Sequence, residues 1–307
     1  MMASTCERRF ADSDAMRERF TAVITDLVAE DPRIAAVFAD FSWDRLSETA
    51  REHPRFFNVG AREQLLIDVA GGLALAGLRP VAHTSAGSLA ERPFGRIRIG
   101  LNLQDVGAVL VSAGASFDLD ADGRALSSPA DVALMATLPG WRISVPGHAD
   151  EAEIMLREAS RGLDLEYIRL STQTNSRPYW TGEDGFVALR LGAGGTVVAV
   201  GPIADTVLAA VGDLDVTVLY APRIRPFDRE TLLATLSVPD VVLVEPYLTG
   251  TSAAEVSQTL ADVPHRLLCL GVAAREVRRY GTPEEHAAAY GLDVTGLRSR
   301  ITAFIGG

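Results

Sequence analysis

The side chains best placed for chemistry follow three strand-like runs, each near the point where the run ends. Glu63 comes directly after the short run FFNVG (residues 56–60), in the first turn of a predicted helix. Asp40 ends the apolar run IAAVFAD, and His83 and Thr84 end the run RPVAHT. Open parallel sheets bind ligands in the crevice beyond the carboxyl ends of their strands. Glu63 is therefore the first candidate for a chemical role.

Each candidate also has an ordinary structural interpretation. An acidic residue in a first helical turn often serves only to complement the helix dipole, which is worth about 0.3–1 kcal/mol. Asp40 could cap a helix, and a lone histidine such as His83 is more often held by hydrogen bonds without a further role. The remaining histidines show no metal-ligand spacing, so we predict no metal site in this chain: His53, His148, His265 and His286.

Apolar, strand-like runs alternate with helical stretches along almost the whole chain, which predicts an α/β fold with a doubly wound, mostly parallel sheet. A length of 307 residues suggests two domains, although it also allows one large domain. The polar segment 172–185 interrupts the alternation and is interpreted as a linker. We therefore predict one domain over residues 1–178 and a smaller α/β domain over residues 179–307.

Three glycines lie close to Glu63 in the sequence. Gly60 would allow the sharp turn that leads to Glu63. Gly71 and Gly72 lie inside the following helix, where a glycine costs about 1 kcal/mol relative to alanine. We expect close packing of another backbone to be the reason for this pair.

The composition excludes several classes of function. All 29 basic residues are arginines, so no lysine can form a Schiff base or complete a Walker-type phosphate loop. The net charge of −11 and the scattered arginines argue against nucleic-acid binding. Two distant cysteines and the lack of a long apolar run predict a cytoplasmic protein without a membrane segment.

Three longer strings carry a resemblance to a known family. FFNVGAREQ, AGGLALAGLRPV and PEEHAAAYGLD resemble the transketolase superfamily of thiamin diphosphate enzymes. The likeness covers nearly the whole chain but only the second half of a full-length transketolase. It implies a pyrimidine-binding domain followed by a transketolase C-terminal domain. In that family, the glutamate that matches Glu63 hydrogen-bonds N1′ of the aminopyrimidine and thereby helps to activate the cofactor.

The resemblance also assigns positions around the cofactor and the substrate. It implies that Glu63 is catalytic and that the cofactor-binding residues are Glu63, Asp40, Phe41, Thr84, Ser85 and Ser88. His83 lies at the same strand edge as Thr84, and Asp122 matches the family's Asp-Gly pair. Both are expected near the substrate.

An expected motif is missing from this sequence. The family binds Mg²⁺ and the cofactor diphosphate through a Gly-Asp-Gly motif followed by an asparagine, and the chain has no Gly-Asp-Gly. The resemblance therefore implies a separate diphosphate-binding subunit that holds most of the Mg²⁺ site. The expected assembly is an α₂β₂ heterotetramer with thiamin diphosphate at the subunit interface.

Several positions depart from the family pattern. Ser85 and Ser88 replace two aromatic residues, so we expect the cofactor to be held differently, more weakly, or by an aromatic borrowed from Phe41, Phe94 or the partner. Gly114 and Leu126 replace two active-site histidines. Thr172 replaces an arginine that anchors phosphate, and Pro246-Tyr247 replaces an acidic-histidine pair. The substrate is therefore expected not to be an ordinary ketose phosphate, unless Arg177 or the partner supplies the anchor.

These features lead to one main hypothesis and two alternatives. The chain is predicted to be the C-terminal subunit of a split transketolase-like enzyme that transfers a two-carbon ketol or acyl-anion unit. A neighbouring possibility is the β subunit of a 2-oxoacid dehydrogenase or decarboxylase. A third possibility is a non-catalytic structural subunit.

Overall fold

The computed structural model of the chain describes residues 14–119, 128–275 and 280–306. Within these ranges the chain forms two mostly parallel sheets with helices packed against them, so the predicted fold class is confirmed. The strands of the first sheet are β1 (Ile34–Phe38), β2 (Phe56–Asn58), β3 (Arg79–Ser85), β4 (Val109–Ala113), β5 (Trp141–Ser144), β6 (Leu165–Arg169) and β10 (Arg223–Arg225). The strands of the second sheet are β7 (Val187–Arg190), β8 (Thr196–Val200), β9 (Thr217–Ala221), β11 (Asp240–Leu248) and β12 (Arg266–Val272).

Helices connect most of the parallel strands. Those of the first half are α1 (Ala15–Glu30), α2 (Glu48–Glu52), α3 (Glu63–Leu75), α4 (Phe94–Ile97), α5 (Asp131–Ala136) and α6 (Ala149–Arg161). Those of the second half are α7 (Ala204–Ala210), α8 (Arg229–Thr235), α9 (Ala253–Thr259), α10 (Pro283–Tyr290) and α11 (Val294–Ile305). In α1, five large apolar side chains lie at helical spacing on one face and are buried: Met16, Phe20, Val23, Ile24 and Leu27. In the described ranges, no helix is both long and apolar enough to cross a bilayer.

The strand order explains why the candidate residues can meet. The first sheet runs β2-β1-β3-β4-β6-β5-β10, and its first six strands are parallel. The carboxyl ends of β2, β1 and β3 therefore lie side by side at one edge of the sheet. All five residues of β1 and all seven of β3 are buried, as expected for parallel strands covered on both faces.

The short edge strands differ from the sequence prediction. β7 pairs antiparallel with β9 in the second sheet, and β10 pairs antiparallel with β5 in the first. Since β10 lies beyond residue 178, a cut at that residue does not fully separate the two sheets. The boundary between residues 178 and 179 remains a prediction.

Buried polar contacts join the two halves of the chain. Ser116 Oγ donates a hydrogen bond to the Pro246 carbonyl at 2.5 Å, and the Leu248 amide donates to the Pro129 carbonyl at 2.7 Å. Glu245 precedes these contacts on β11 and is fully buried. Its Oε1 accepts a hydrogen bond from the Ser252 amide at 3.1 Å, and burial raises the pKa of the Glu245 carboxyl to about 7.

The glycines near Glu63 have different roles. Gly60 has a φ of +69°, which permits the turn between β2 and α3. A Cβ at Gly71 would lie 2.7 Å from the carbonyl oxygen of Gly100, so the predicted close packing is confirmed there. A Cβ at Gly72 would meet no atom of the described chain within 4 Å. The same prediction is therefore wrong for Gly72 within this chain.

Candidate functional site

A cleft opens where β2, β1 and β3 end. Its volume is about 470 Å³, within the usual range for small-molecule sites. The lining combines three arginines and three acidic residues with small and polar side chains. The residues that line it are Arg17, Ala39, Asp40, Phe41, Ser42, Asp44, Arg45, Ala61, Glu63, Thr84, Ser85, Ser88 and Arg92. Six of the residues predicted from the sequence to contact the cofactor are thus brought together.

Glu63 is the first residue of α3 and lies against the cleft. The residue is only 9% exposed. Its Oε1 accepts a hydrogen bond from Nη1 of Arg92 at 2.7 Å. Arg92 directly follows a π-helical turn over Gly87–Glu91, and its side chain is half exposed. One oxygen of the carboxylate is therefore engaged by an arginine that also lines the cleft.

Asp40 has an unusual backbone conformation at the end of β1. Its φ is +59°, and that of Ser42 is +64°, in the left-handed region that few residues other than glycine adopt. The Asn58 side chain stabilises this bend, because its Oδ1 accepts from the Asp40 amide at 3.1 Å and its Nδ2 donates to Asp40 Oδ1 at 3.0 Å. Asp40 does not cap a helix with its side chain, so the alternative interpretation is not seen. Such local strain is concentrated at functional sites.

Phe41 supplies the aromatic surface of the cleft. The Arg17 guanidinium carbon lies 4.8 Å from the centroid of the Phe41 ring, a cation–π distance. Among the borrowed aromatics considered from the sequence, Phe41 lines the cleft. Phe94 instead packs against the hydrophobic core and does not line the cleft.

The opposite wall is formed by small polar residues. Thr84 and Ser85 end β3, and Ser88 lies in the π-helical turn that follows. All three are buried yet contribute to the cleft surface. Where the family pattern has two aromatic rings, this chain therefore has space bounded by hydroxyl groups.

His83 does not line the cleft. It is fully buried, its Nε2 lies 2.9 Å from Ser42 Oγ, and its Nδ1 lies 2.8 Å from the Val111 carbonyl oxygen. Burial lowers the pKa of the imidazole to about 3, so the ring is neutral at physiological pH. This geometry fits a histidine held by hydrogen bonds, and nothing in it supports the predicted contact with substrate.

The region that would meet the substrate is described only in part. Asp122, Gly123 and Leu126 lie outside the described residues. Beside that segment, the Thr172 amide donates to Asp118 Oδ2 at 2.8 Å, and Ser171 Oγ donates to the same oxygen at 2.8 Å. Burial raises the pKa of the Asp118 carboxyl, against the opposing effect of these hydrogen bonds.

Three arginines of the cleft were missed by the sequence reasoning. Arg17 and Arg45 both form ion pairs with Asp14, and Arg92 pairs with Glu63. No local motif marks them among the 29 arginines of the chain. Only their position in the folded chain distinguishes them.

The cleft fits part of a cofactor such as thiamin diphosphate. It offers a carboxylate, an aromatic ring and hydroxyl groups, which suit a flat heterocycle. The described ranges contain no group of three His, Cys, Asp or Glu side chains that could hold a metal ion.

Comparisons with known proteins agree with this geometry. The family "Transketolase, pyrimidine binding domain" matches residues 12–176. A relative from Rhodococcoides fascians, "Uncharacterized 33.6 kDa protein in fasciation locus", is 44% identical over 99% of both chains. The 1-deoxy-D-xylulose-5-phosphate synthase 2 of Geobacter sulfurreducens is 28% identical over 92% of this chain and 48% of its own length. The chain thus spans about half the length of this synthase.

Solved structures show the same architecture. "Split gene transketolase, inactive beta4 tetramer" superposes with a TM-score of 0.81 at 26% identity, covering 95% of this chain and 98% of the other. A transketolase from Pichia stipitis has a TM-score of 0.76 at 17% identity, covering 95% of this chain and 46% of the other, which shows the fold alone. The chain therefore matches nearly the whole of one solved chain of similar length and about half of the longer one.

Proposed function

Because the chain belongs to the transketolase superfamily of thiamin diphosphate-dependent proteins, we propose that it is the C-terminal subunit of a split transketolase-like enzyme. The enzyme would transfer a two-carbon ketol or acyl-anion unit from a donor to an acceptor. The observation that carries this proposal is the place of Glu63. Its carboxylate lies in a cleft where three parallel strands end, together with the other residues predicted for the cofactor.

Each residue of the cleft would have a distinct part. Glu63 would hold a hydrogen bond at N1′ of the aminopyrimidine. Phe41 would contact the ring, and the Thr84, Ser85 and Ser88 side chains would bound the opposite wall, with Asp40 at the rim. When bound, thiamin diphosphate supplies the carbon nucleophile that the reaction needs.

A partner subunit would complete the site. The chain has no Gly-Asp-Gly motif, and its described part has no metal-binding cluster. A split transketolase subunit of similar length is matched over 98% of its chain. We propose an α₂β₂ assembly in the cytoplasm, in which the partner binds the diphosphate and Mg²⁺.

The donor is proposed not to be an ordinary ketose phosphate. Thr172 stands where the family pattern has a phosphate-binding arginine, and its amide is bound to the buried carboxyl of Asp118. The Thr172 amide is therefore already engaged and does not offer a hydrogen-bond donor to a phosphate group. Asp122 remains a proposed substrate contact, whereas His83 would act only through Ser42, which it orients.

The test compares two glutamates that both begin helices. Glu63→Gln and Glu48→Gln make the same chemical change, but Glu48 is exposed on α2 and outside the cleft. Each variant is assembled with a partner that carries Gly-Asp-Gly and the following asparagine. Loss of an acid–base group costs roughly 10²–10⁴-fold in rate, so we expect Glu63→Gln to lose at least about a hundredfold in turnover and Glu48→Gln to retain it.

Other outcomes would favour the alternatives. An unchanged rate in Glu63→Gln would contradict the catalytic role. Failure of the complex to bind thiamin diphosphate would favour a structural subunit. Release of CO₂ from 2-oxoacids, without ketol transfer from non-phosphorylated ketoses, would favour the 2-oxoacid dehydrogenase or decarboxylase alternative.

A further inference from the structure

Arg92 engages the carboxylate on which the proposed function depends. Its backbone follows the turn that carries Ser88, while Glu63 is the first residue of α3. The 2.7 Å hydrogen bond from Nη1 to Oε1 therefore links two separate segments that both line the cleft. Arg92 also lines the cleft itself, so its side chain occupies space that a ligand of Glu63 would need.

The neighbours of Arg92 do not bind Glu63. The adjacent Glu91 side chain accepts a hydrogen bond from Ser128 Oγ at 2.8 Å. Arg96, four residues later, lies 3.9 Å from Asp68 on the outer side of α3 and does not line the cleft. Of these three side chains, only Arg92 contacts Glu63.

We propose that Arg92 competes with the cofactor for Glu63 and thereby sets the affinity of the pyrimidine site. This inference rests on the proposed function, because it requires thiamin diphosphate to bind at Glu63. A ring nitrogen that hydrogen-bonds the Glu63 carboxylate must either share the carboxylate with the Arg92 guanidinium or displace the guanidinium. Ser85 and Ser88 line the same cleft as Arg92 and have short side chains.

The expected size of the competition is modest. The Arg92 side chain is 52% exposed, and exposed ion pairs are weak. Its removal is therefore expected to tighten cofactor binding by roughly two- to fivefold. Salt screens such a pair, so the gain in cofactor affinity on removal of the Arg92 charge is expected to disappear at about 1 M salt.

The experiment measures thiamin diphosphate binding to the assembled complex, by calorimetry with Mg²⁺ in excess, at low and high salt. The variants are Arg92→Gln, Arg92→Lys and the control Arg96→Gln, which removes a similarly exposed arginine that lies near Asp68 of α3 and not near Glu63. Arg92→Gln is expected to bind more tightly than the wild type at low salt. Arg92→Lys keeps a cation, so its affinity is expected to lie between those of the wild type and Arg92→Gln. The affinity of Arg96→Gln is expected to match that of the wild type.

The outcomes separate this inference from the proposed function. Equal affinities of Arg92→Gln and wild type, or weaker binding by Arg92→Gln, would overturn the competition while leaving the enzyme assignment intact. A wild-type complex that binds no thiamin diphosphate would overturn both. A gain in affinity that persists unchanged in 1 M salt would also contradict an ion-pair competitor.

Discussion

Glu245 provides a quantitative test of the cost of burying a carboxyl group beside the contacts that join the two halves. It is fully buried on β11, next to the contacts with Ser116 and Pro129. In the described part of the chain its Oε2 has no hydrogen-bond partner, while Oε1 accepts from the Ser252 amide. Glu245→Gln preserves the shape and that acceptor but removes the ionisable group.

The magnitude follows from proton linkage. Burial raises the pKa of Glu245 from its ordinary value of 4.5 to about 7. Between these values the folded chain holds a proton that the unfolded chain has lost, so stability falls as pH rises through this window and then levels off. At about 1.4 kcal/mol per pH unit, the carboxyl costs the fold about 3 kcal/mol above pH 7.

The assay is urea unfolding followed by circular dichroism at pH 5 and pH 8. Because glutamine does not titrate, the stability of Glu245→Gln relative to wild type is expected to rise by about 2.5 kcal/mol between these two pH values. Glu230→Gln, an exposed change on α8, is the control and is expected to alter stability by less than about 0.5 kcal/mol at either pH. A relative stability of Glu245→Gln that is the same at both pH values would refute the reasoning.

Two further predictions concern stability. Gly71→Ala is expected to destabilise the chain by about 1–3 kcal/mol because its Cβ would meet the Gly100 carbonyl, whereas Gly72→Ala is expected to stabilise it by up to about 1 kcal/mol. Thermal melting of the two variants tests this pair, and equal melting temperatures would contradict it. The buried, neutral His83 makes the fold less stable as pH falls from 6.5 towards 3, because only the unfolded chain gains a proton. The stability of His83→Gln relative to wild type is therefore expected to rise by about 2 kcal/mol from pH 7 to pH 5 in urea titrations, and no change would count against a neutral core histidine.

Sequence reasoning was most successful where a pattern is local. The alternation of apolar runs and helices predicted the parallel sheets. The positions of Glu63 and Asp40 at strand ends predicted that they would share one edge. These inferences depend on periodicity and on a general rule of parallel sheets, both of which a single sequence contains.

Other features depend on residues that are distant in the sequence. The strands β7 and β10 have only three or four residues and pair at sheet edges, so they carry little periodic signal. β3 is buried on both faces, so its pattern could not indicate that Thr84 lines the cleft and that His83 does not. The pair between Glu63 and Arg92 joins side chains 29 positions apart, in a chain with 29 arginines.

The return of β10 to the first sheet has a consequence for fragments of the chain. A piece that ended at residue 178 would lack the strand that pairs with β5 along Ser144 and Ile143. Its sheet would then end in exposed amide and carbonyl groups, which readily recruit strands from other molecules. Residues 223–225 thus cover the edge of the first sheet. We therefore expect the first half to be less soluble when the second half is removed.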